Sequence, residues 1–168
     1  MSLVNAIPDT AVHAELGRKL QYTLLDDPIH PDSKKLIEAW RAREGNGGFI
    51  MGRDIPSRSL APLLHSIMVT EPINDRTDYK IRLAGTALRR RWGCEITGLN
   101  FSQLFSPETL AKQLQETNQV LETGLPALMD VKEIEAGVVR FHREAIVLRI
   151  LAPDKVTPWI MAGVFYFD

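Results

Sequence analysis

Apolar and polar positions change period along this chain, and each change marks an element. From Tyr79 to Gly85 the period is two: Tyr79, Ile81 and Leu83 alternate with Lys80 and Arg82, which predicts a strand. Leu63–Ile73, with Ile67, Met68 and Val69, predicts the strand before it, joined through the polar turn Asn74-Asp75-Arg76-Thr77-Asp78. Thr86–Trp92 reads as a short helix closed by Gly93, and Phe101–Phe105 as another short turn of helix. Ser106-Pro107-Glu108 then opens the longest helix. Ser106 suits the N-cap, and Pro107 suits the first turn, where its missing N–H costs nothing. Leu110, Leu114, Val120 and Leu121 form its apolar stripe, and Gly124 ends it.

The period returns to two in the last third. Ala127–Glu135 predicts a strand and Ala136-Gly137 a turn. Val139–Leu151 predicts a long strand with Glu144, Ile146, Leu148 and Ile150 on one face and Ala145, Val147, Arg149 and Leu151 on the other. Ala152-Pro153-Asp154-Lys155 turns the chain into a final strand, Trp159–Phe167. Trp159, Met161, Phe165 and Phe167 point one way there, and Ile160, Ala162, Val164 and Tyr166 the other. Both faces are apolar, so both must be covered. An N-terminal helix, a second subunit, or both would serve. A homodimer is expected on this ground, with Trp40, Ile160, Val164 and Tyr166 as its candidate interface residues.

The beginning of the chain is less regular. Residues 1–30 read as an arm with a loose helical pattern from Ala11 to Leu25 through Val12, Leu16 and Leu20. Pro28 and Pro31 interrupt it, since the residue before a proline leaves helical geometry. A firmer helix over 31–44 follows, capped by Asp32 or Ser33 and carrying Leu36, Ile37 and Trp40 on one face. Gly45-Asn46-Gly47-Gly48 stops it, and Phe49–Pro62 is irregular. The domain is thus placed at 31–168, including the leading helix, with 1–30 as an N-terminal extension.

Composition adds limits. The chain has 168 residues, 45% hydrophobic and 24% charged, which suits one globular domain. A formal net charge of −1 gives no general attraction to nucleic acid or to an anionic membrane. No apolar run reaches membrane-spanning length. The single cysteine, Cys94, allows no internal disulfide and no zinc site built from cysteine pairs, and a reducing cytoplasm is the expected setting.

The stretch YKIRLAGTALRRRWGCEITGLNFSQLF, Tyr79–Phe105, resembles the first half of a PAS domain: strand, glycine, short helix, Thr-Gly turn, short helix. With Trp40-Arg41, Arg82-Leu83-Ala84-Gly85-Thr86, Gly93 and Thr97-Gly98, the chain is most similar to a bacterial group of single-PAS proteins. The segment Asp54-Ile55-Pro56-Ser57-Arg58 matches that group's linker only loosely. The resemblance implies an α+β fold: a five-stranded antiparallel sheet with short helices on one face around a cavity, preceded by an N-terminal helical extension. It implies a sensor or interaction module that binds a small molecule or a partner protein. No stretch is left for a kinase, cyclase or DNA-binding segment, so output is expected to act in trans.

Against that background the candidate chemistry is thin. Flavin-binding light sensors of the family place a reactive cysteine in a motif like G-x-N-C-R-F-L-Q; here Gly98-Leu99-Asn100-Phe101 puts Phe101 at that position, which excludes thiol addition there. The helix over 107–123 has no histidine to hold haem, and His65 and His142 read as ordinary strand histidines. The sequence therefore names no cofactor. Nucleophile-elbow, phosphate-loop and zinc-protease motifs are missing. Glu133 and Glu135 share a strand face and read as solvated, and Arg89-Arg90-Arg91 reads as a solvated helix face or an anion contact. The candidate pocket is the apolar set Trp92, Phe101, Leu104, Phe105, Leu110 and Leu114, with Arg82 or Arg140 as a possible anchoring charge. A rival reading is a small enzyme of cone-like, ketosteroid-isomerase-like α+β fold, which would need a buried acid of raised pKa in its pocket.

Overall fold

The computed structural model describes residues 19–45 and 47–167. In chain order the elements are β1 (Lys19–Leu24), α1 (Pro31–Glu44), a 3-10 segment (Ala61–Ser66), β2 (Ile67–Ile73), β3 (Asp78–Ala84), α2 (Thr86–Trp92), α3 (Phe101–Leu104), α4 (Pro107–Thr123), β4 (Ala127–Glu135), β5 (Val138–Leu151) and β6 (Pro158–Tyr166). The strands make one antiparallel sheet in the order β1-β4-β5-β6-β2-β3. The five expected strands all form, two of them before the central helices and three after. A sixth, β1, joins the edge beside β4, with Leu20 opposite Glu133 and Tyr22 opposite Val131.

That sixth strand corrects the helix expected across Ala11–Leu25. Over Lys19–Leu24 the backbone is extended, because β4 offers it a ladder of hydrogen bonds that the weak helical pattern cannot match. The first part of the expected helix lies outside the described residues. Two boundaries also move. The strand expected from Leu63 starts at Ile67, after the Ala61–Ser66 turn. The leading helix is capped by His30 rather than by Asp32 or Ser33: His30 Nδ1 accepts the Asp32 N–H at 3.0 Å, and Pro31 takes the first position.

Each sheet face has its own core. On one side α1 lays Leu36, Ile37 and Trp40 over Ile146, Leu148, Ile150, Met161 and Phe165. On the other side α2, α3 and α4 cover Ile81, Met129, Val131, Val147 and Ile160. The two apolar faces of β6 are therefore both covered within the chain. Trp40 and Ile160, expected at an interface, are 6% and 2% exposed, and the Trp40 indole donates to the Arg149 carbonyl at 2.9 Å. They are interior residues, held there by packing within one chain.

The alternation of β3 is broken where the sequence reads as unbroken. Val69 pairs with Leu83 but Thr70 pairs with Ile81, so Arg82 is an extra residue, a β-bulge. Tyr79 and Ile81 face the helical layer, while Leu83 turns to the α1 side. The bulge sends Arg82 outward to Glu71.

The irregular stretch after α1 is organised by one acid. Asp54, 2% exposed, accepts from the Ile50 N–H at 2.9 Å and pairs with Arg53 at 2.7 Å and Arg43 at 3.1 Å. Burial works to raise its pKa, but the hydrogen bonds from Arg53 and Ile50 and the two positive charges outweigh it and hold the carboxyl below its usual value.

Gly85 shows why the strand-to-helix junction needs glycine. Its φ of −66° suits any residue, so backbone freedom is not the reason. A β-carbon there would stand 2.2 Å from the Leu64 carbonyl oxygen and 2.3 Å from that of His65. Gly85→Ala is expected to lower stability by roughly 1–3 kcal/mol through overpacking against backbone. Urea unfolding should show a lower midpoint; an unchanged midpoint would contradict this packing.

Candidate functional site

Between the sheet and its helical layer lies a cavity with room for about 120 Å³ of water-sized centres. Its walls come from distant parts of the chain. The sheet supplies Met68, Met129, Val131, Ala145, Val147 and Val164; the helices and the segment between them supply Leu88, Trp92, Ile96, Leu104 and Phe105. Leu20 and Tyr22 of β1 close one side. Most of this lining is apolar, and the charged groups gather at one end.

The helical roof is fixed by caps and rings. Ser106 accepts the Thr109 N–H at the start of α4, and Gly124 ends it in the left-handed conformation. Asp78 holds the start of α3, accepting the Ser102 N–H at 3.1 Å and the Ser102 hydroxyl at 2.5 Å. Gly98 N–H donates to Ile81 O and Ile81 N–H to Leu99 O, so the Thr97-Gly98 turn binds along the edge of β3. Tyr79, Phe101, Phe105 and Trp92 make successive ring contacts 5.3–5.7 Å apart. Tyr79 also donates its hydroxyl to Asn118 of α4 at 2.5 Å, and burial lifts its pKa to about 12.

Of the six expected pocket residues, Trp92, Leu104 and Phe105 line the cavity. Phe101 lies in the core beneath it, 3% exposed, and Leu110 and Leu114 pack against the same core without lining the space. Val164 and Tyr166, expected at an interface, line it instead, because β6 turns that face toward the helices.

The charged end is where the sequence reading falls short. Glu133, 6% exposed, accepts from Arg91 of α2 at 2.5 Å through one oxygen and from Arg143 of β5 at 2.6 Å through the other. All three line the cavity. Burial acts to raise the Glu133 pKa; the charges and hydrogen bonds of Arg143 and Arg91 overcome it, and the net shift is downward. The Arg91 guanidinium also lies over the Phe141 ring, 4.6 Å from its centre. Arg82 and Arg140 are elsewhere, paired with Glu71 and with Glu135. In the Arg89-Arg90-Arg91 run only Arg91 turns inward; Arg89 bonds Glu95 on the surface at 3.0 Å and Arg90 is exposed.

Other groups considered from sequence lie apart from this end. His65 is exposed on the 3-10 segment. His142 bonds Asp130 at 2.5 Å and stacks on Phe167 at 4.4 Å. Cys94 packs against the helical-side core, and burial raises its thiol pKa. Among the described residues no group of three or more His, Cys, Asp or Glu is arranged to hold a metal ion, and no helix is long and apolar enough to cross a membrane.

Glu133 has a lower pKa folded than unfolded, so its contribution to stability is present above its ordinary value near 4.5 and is lost as pH falls through the folded value. Glu133→Gln is expected to cost about 2 kcal/mol at pH 7, less than a fully buried pair, because both guanidiniums reach water. The gap between the two proteins should narrow below pH 4.5. Urea midpoints measured from pH 7 to pH 3 check this; a gap constant with pH would show that the charge is not what matters.

The PAS domain family matches residues 29–165, from the end of the β1–α1 connection to the last strand. No curated protein and no solved structure matches the chain. The match covers more than half of the 168 residues and agrees with two strands, central helices and three strands around a cavity. The chain belongs to the PAS domain family, whose members are signal-sensing and interaction modules.

Proposed function

We propose that this protein is a sensor whose signal is a small molecule held in the cavity between sheet and helices, with output passed to a partner protein in trans. The observation that carries this is a mostly apolar hollow with its charged groups collected at one end, the usual form of a small-molecule site. The Arg91–Glu133 contact ties α2 to β4. A ligand that competes for Arg91 would alter that tie and so shift how α2 sits, which is the kind of local change a partner can read.

The enzyme alternative loses its main support. It required a cavity acid with a raised pKa, whereas Glu133 is shifted downward by two arginines. Within the matched residues 29–165, two strands also precede the central helices and three follow them, on the PAS plan.

A homodimer belongs to the same proposal, with its contacts moved from Trp40 and Ile160 to exposed apolar side chains. Leu24 and Ile29 are 68% and 57% exposed beside β1, and Val138 and Val139 are 51% and 48% exposed at the β4–β5 hairpin.

Native mass spectrometry with an absorption spectrum tests the ligand. The purified protein is expected to retain or take up a small molecule, and Ala145→Leu, which fills the cavity, is expected to lose it while staying folded. A protein that stays empty and colourless, with no uptake of apolar probes, would end the small-molecule reading. For the dimer, sedimentation at high micromolar concentration should show a two-chain species; a strict monomer defeats it.

A further inference from the structure

We infer that the cavity takes a small apolar monoanion, its headgroup bridging Arg91 and Arg143. The inference rests on the cavity being a ligand site and names the chemistry of that ligand.

Charge is the first argument. Among the described residues lining the cavity, two guanidiniums meet one carboxylate, so that end keeps one positive charge. Glu133 stays ionised well into the acid range, since both arginines favour its charged form. One added negative charge balances these three groups; a cation would add to the excess, and a neutral ligand would leave it to the water that reaches both guanidiniums.

Donor geometry is the second. A guanidinium carries five N–H donors in a planar fork. Among the described residues, Arg91 and Arg143 each donate one hydrogen bond to Glu133. Further N–H groups remain on two side chains that both line the cavity, and paired arginines suit a planar two-oxygen acceptor such as a carboxylate. Glu133, gripping one guanidinium with each oxygen, holds the two side chains in place before any ligand arrives, which lowers the ordering cost of binding.

Size is the third. A cavity of about 120 Å³ corresponds to about four waters at roughly 30 Å³ each, so the ligand body is short. The lining opposite the charges, with Met68, Ile96, Leu104, Met129 and Val147, asks for an alkyl or aryl body.

The test uses the full chain and matched probes: butanoate against butan-1-ol, and benzoate against benzyl alcohol. Calorimetry gives affinities, and methyl NMR of the methionines gives location. Met68 and Met129 line the cavity, while Met51 and Met161 belong to the core on the α1 side. Each acid is expected to bind at least about tenfold more tightly than its alcohol, the ratio that a charged hydrogen bond supplies. The Met68 and Met129 signals should move and the Met51 and Met161 signals should stay. Arg143→Met and, separately, Arg91→Met should erase the preference for the acid while the alcohol still binds. Alcohols that bind as well as acids in the unaltered protein would overturn the monoanion and leave the ligand site standing. If neither probe moves Met68 or Met129, the ligand site falls with it. The comparison within the unaltered protein decides the matter even if a variant fails to fold.

Discussion

A sheet that is apolar on both faces must be shielded from water twice, and the rest of this architecture follows from that constraint. Strands β5 and β6 put Ile146, Leu148, Met161 and Phe165 on one side and Val147, Ile160 and Val164 on the other. α1 shields the first side, and α2, α3 and α4 the second. The first shield lies close. A β-carbon on Gly163 of β6 would stand 2.8 Å from a Leu36 methyl, which leaves no space between α1 and the sheet there. The second shield is built from three separate helices linked by turns, which together roof the sheet without filling the space beneath them. The hollow lies on that side.

The α1 side also buries an acid, but uses it differently. Glu144 is fully buried and accepts the Ile29 and His30 N–H groups at 2.8 and 3.1 Å, so it fixes the approach to α1. His30 adds a contact from its Nε2 to the Tyr166 carbonyl at 3.2 Å and stacks on Phe165. Glu133 sits on the opposite face of the sheet and is held, among the described residues, by the side chains of Arg91 and Arg143. An acid tied by backbone can change only if the fold changes. An acid tied by two long arginine side chains can exchange partners while the fold stays as it is. This contrast separates the structural carboxylate from the one at the charged end of the cavity.

Local chemistry was readable in the sequence wherever it acts within a few residues. Ser106-Pro107 announces α4, Gly124 ends it, Gly93 ends α2, and the strands after residue 127 declare themselves by alternation. What stayed hidden depends on partners far along the chain. Lys19–Leu24 is a strand only because β4 lies beside it. The alternation of Tyr79, Ile81 and Leu83 conceals a bulge that the pairing with β2 reveals. Glu133 is 42 residues from Arg91 and 10 from Arg143, and no spacing rule joins them. The arginine run did hold one clue: three successive helical positions point in three directions, so one of them could turn inward, but the sequence did not say which.

The position of β1 gives the hollow an uneven wall. Among the described residues, Leu20 and Tyr22 belong to an edge strand paired only with β4, whereas the remaining sheet lining belongs to strands bonded on both sides. A strand held along one margin unzips at lower free energy than one held along two. The seam between β1 and β4 is therefore the part of the sheet wall with the least backbone support. In that seam Leu20 stands directly opposite Glu133, the acid that clasps the arginines.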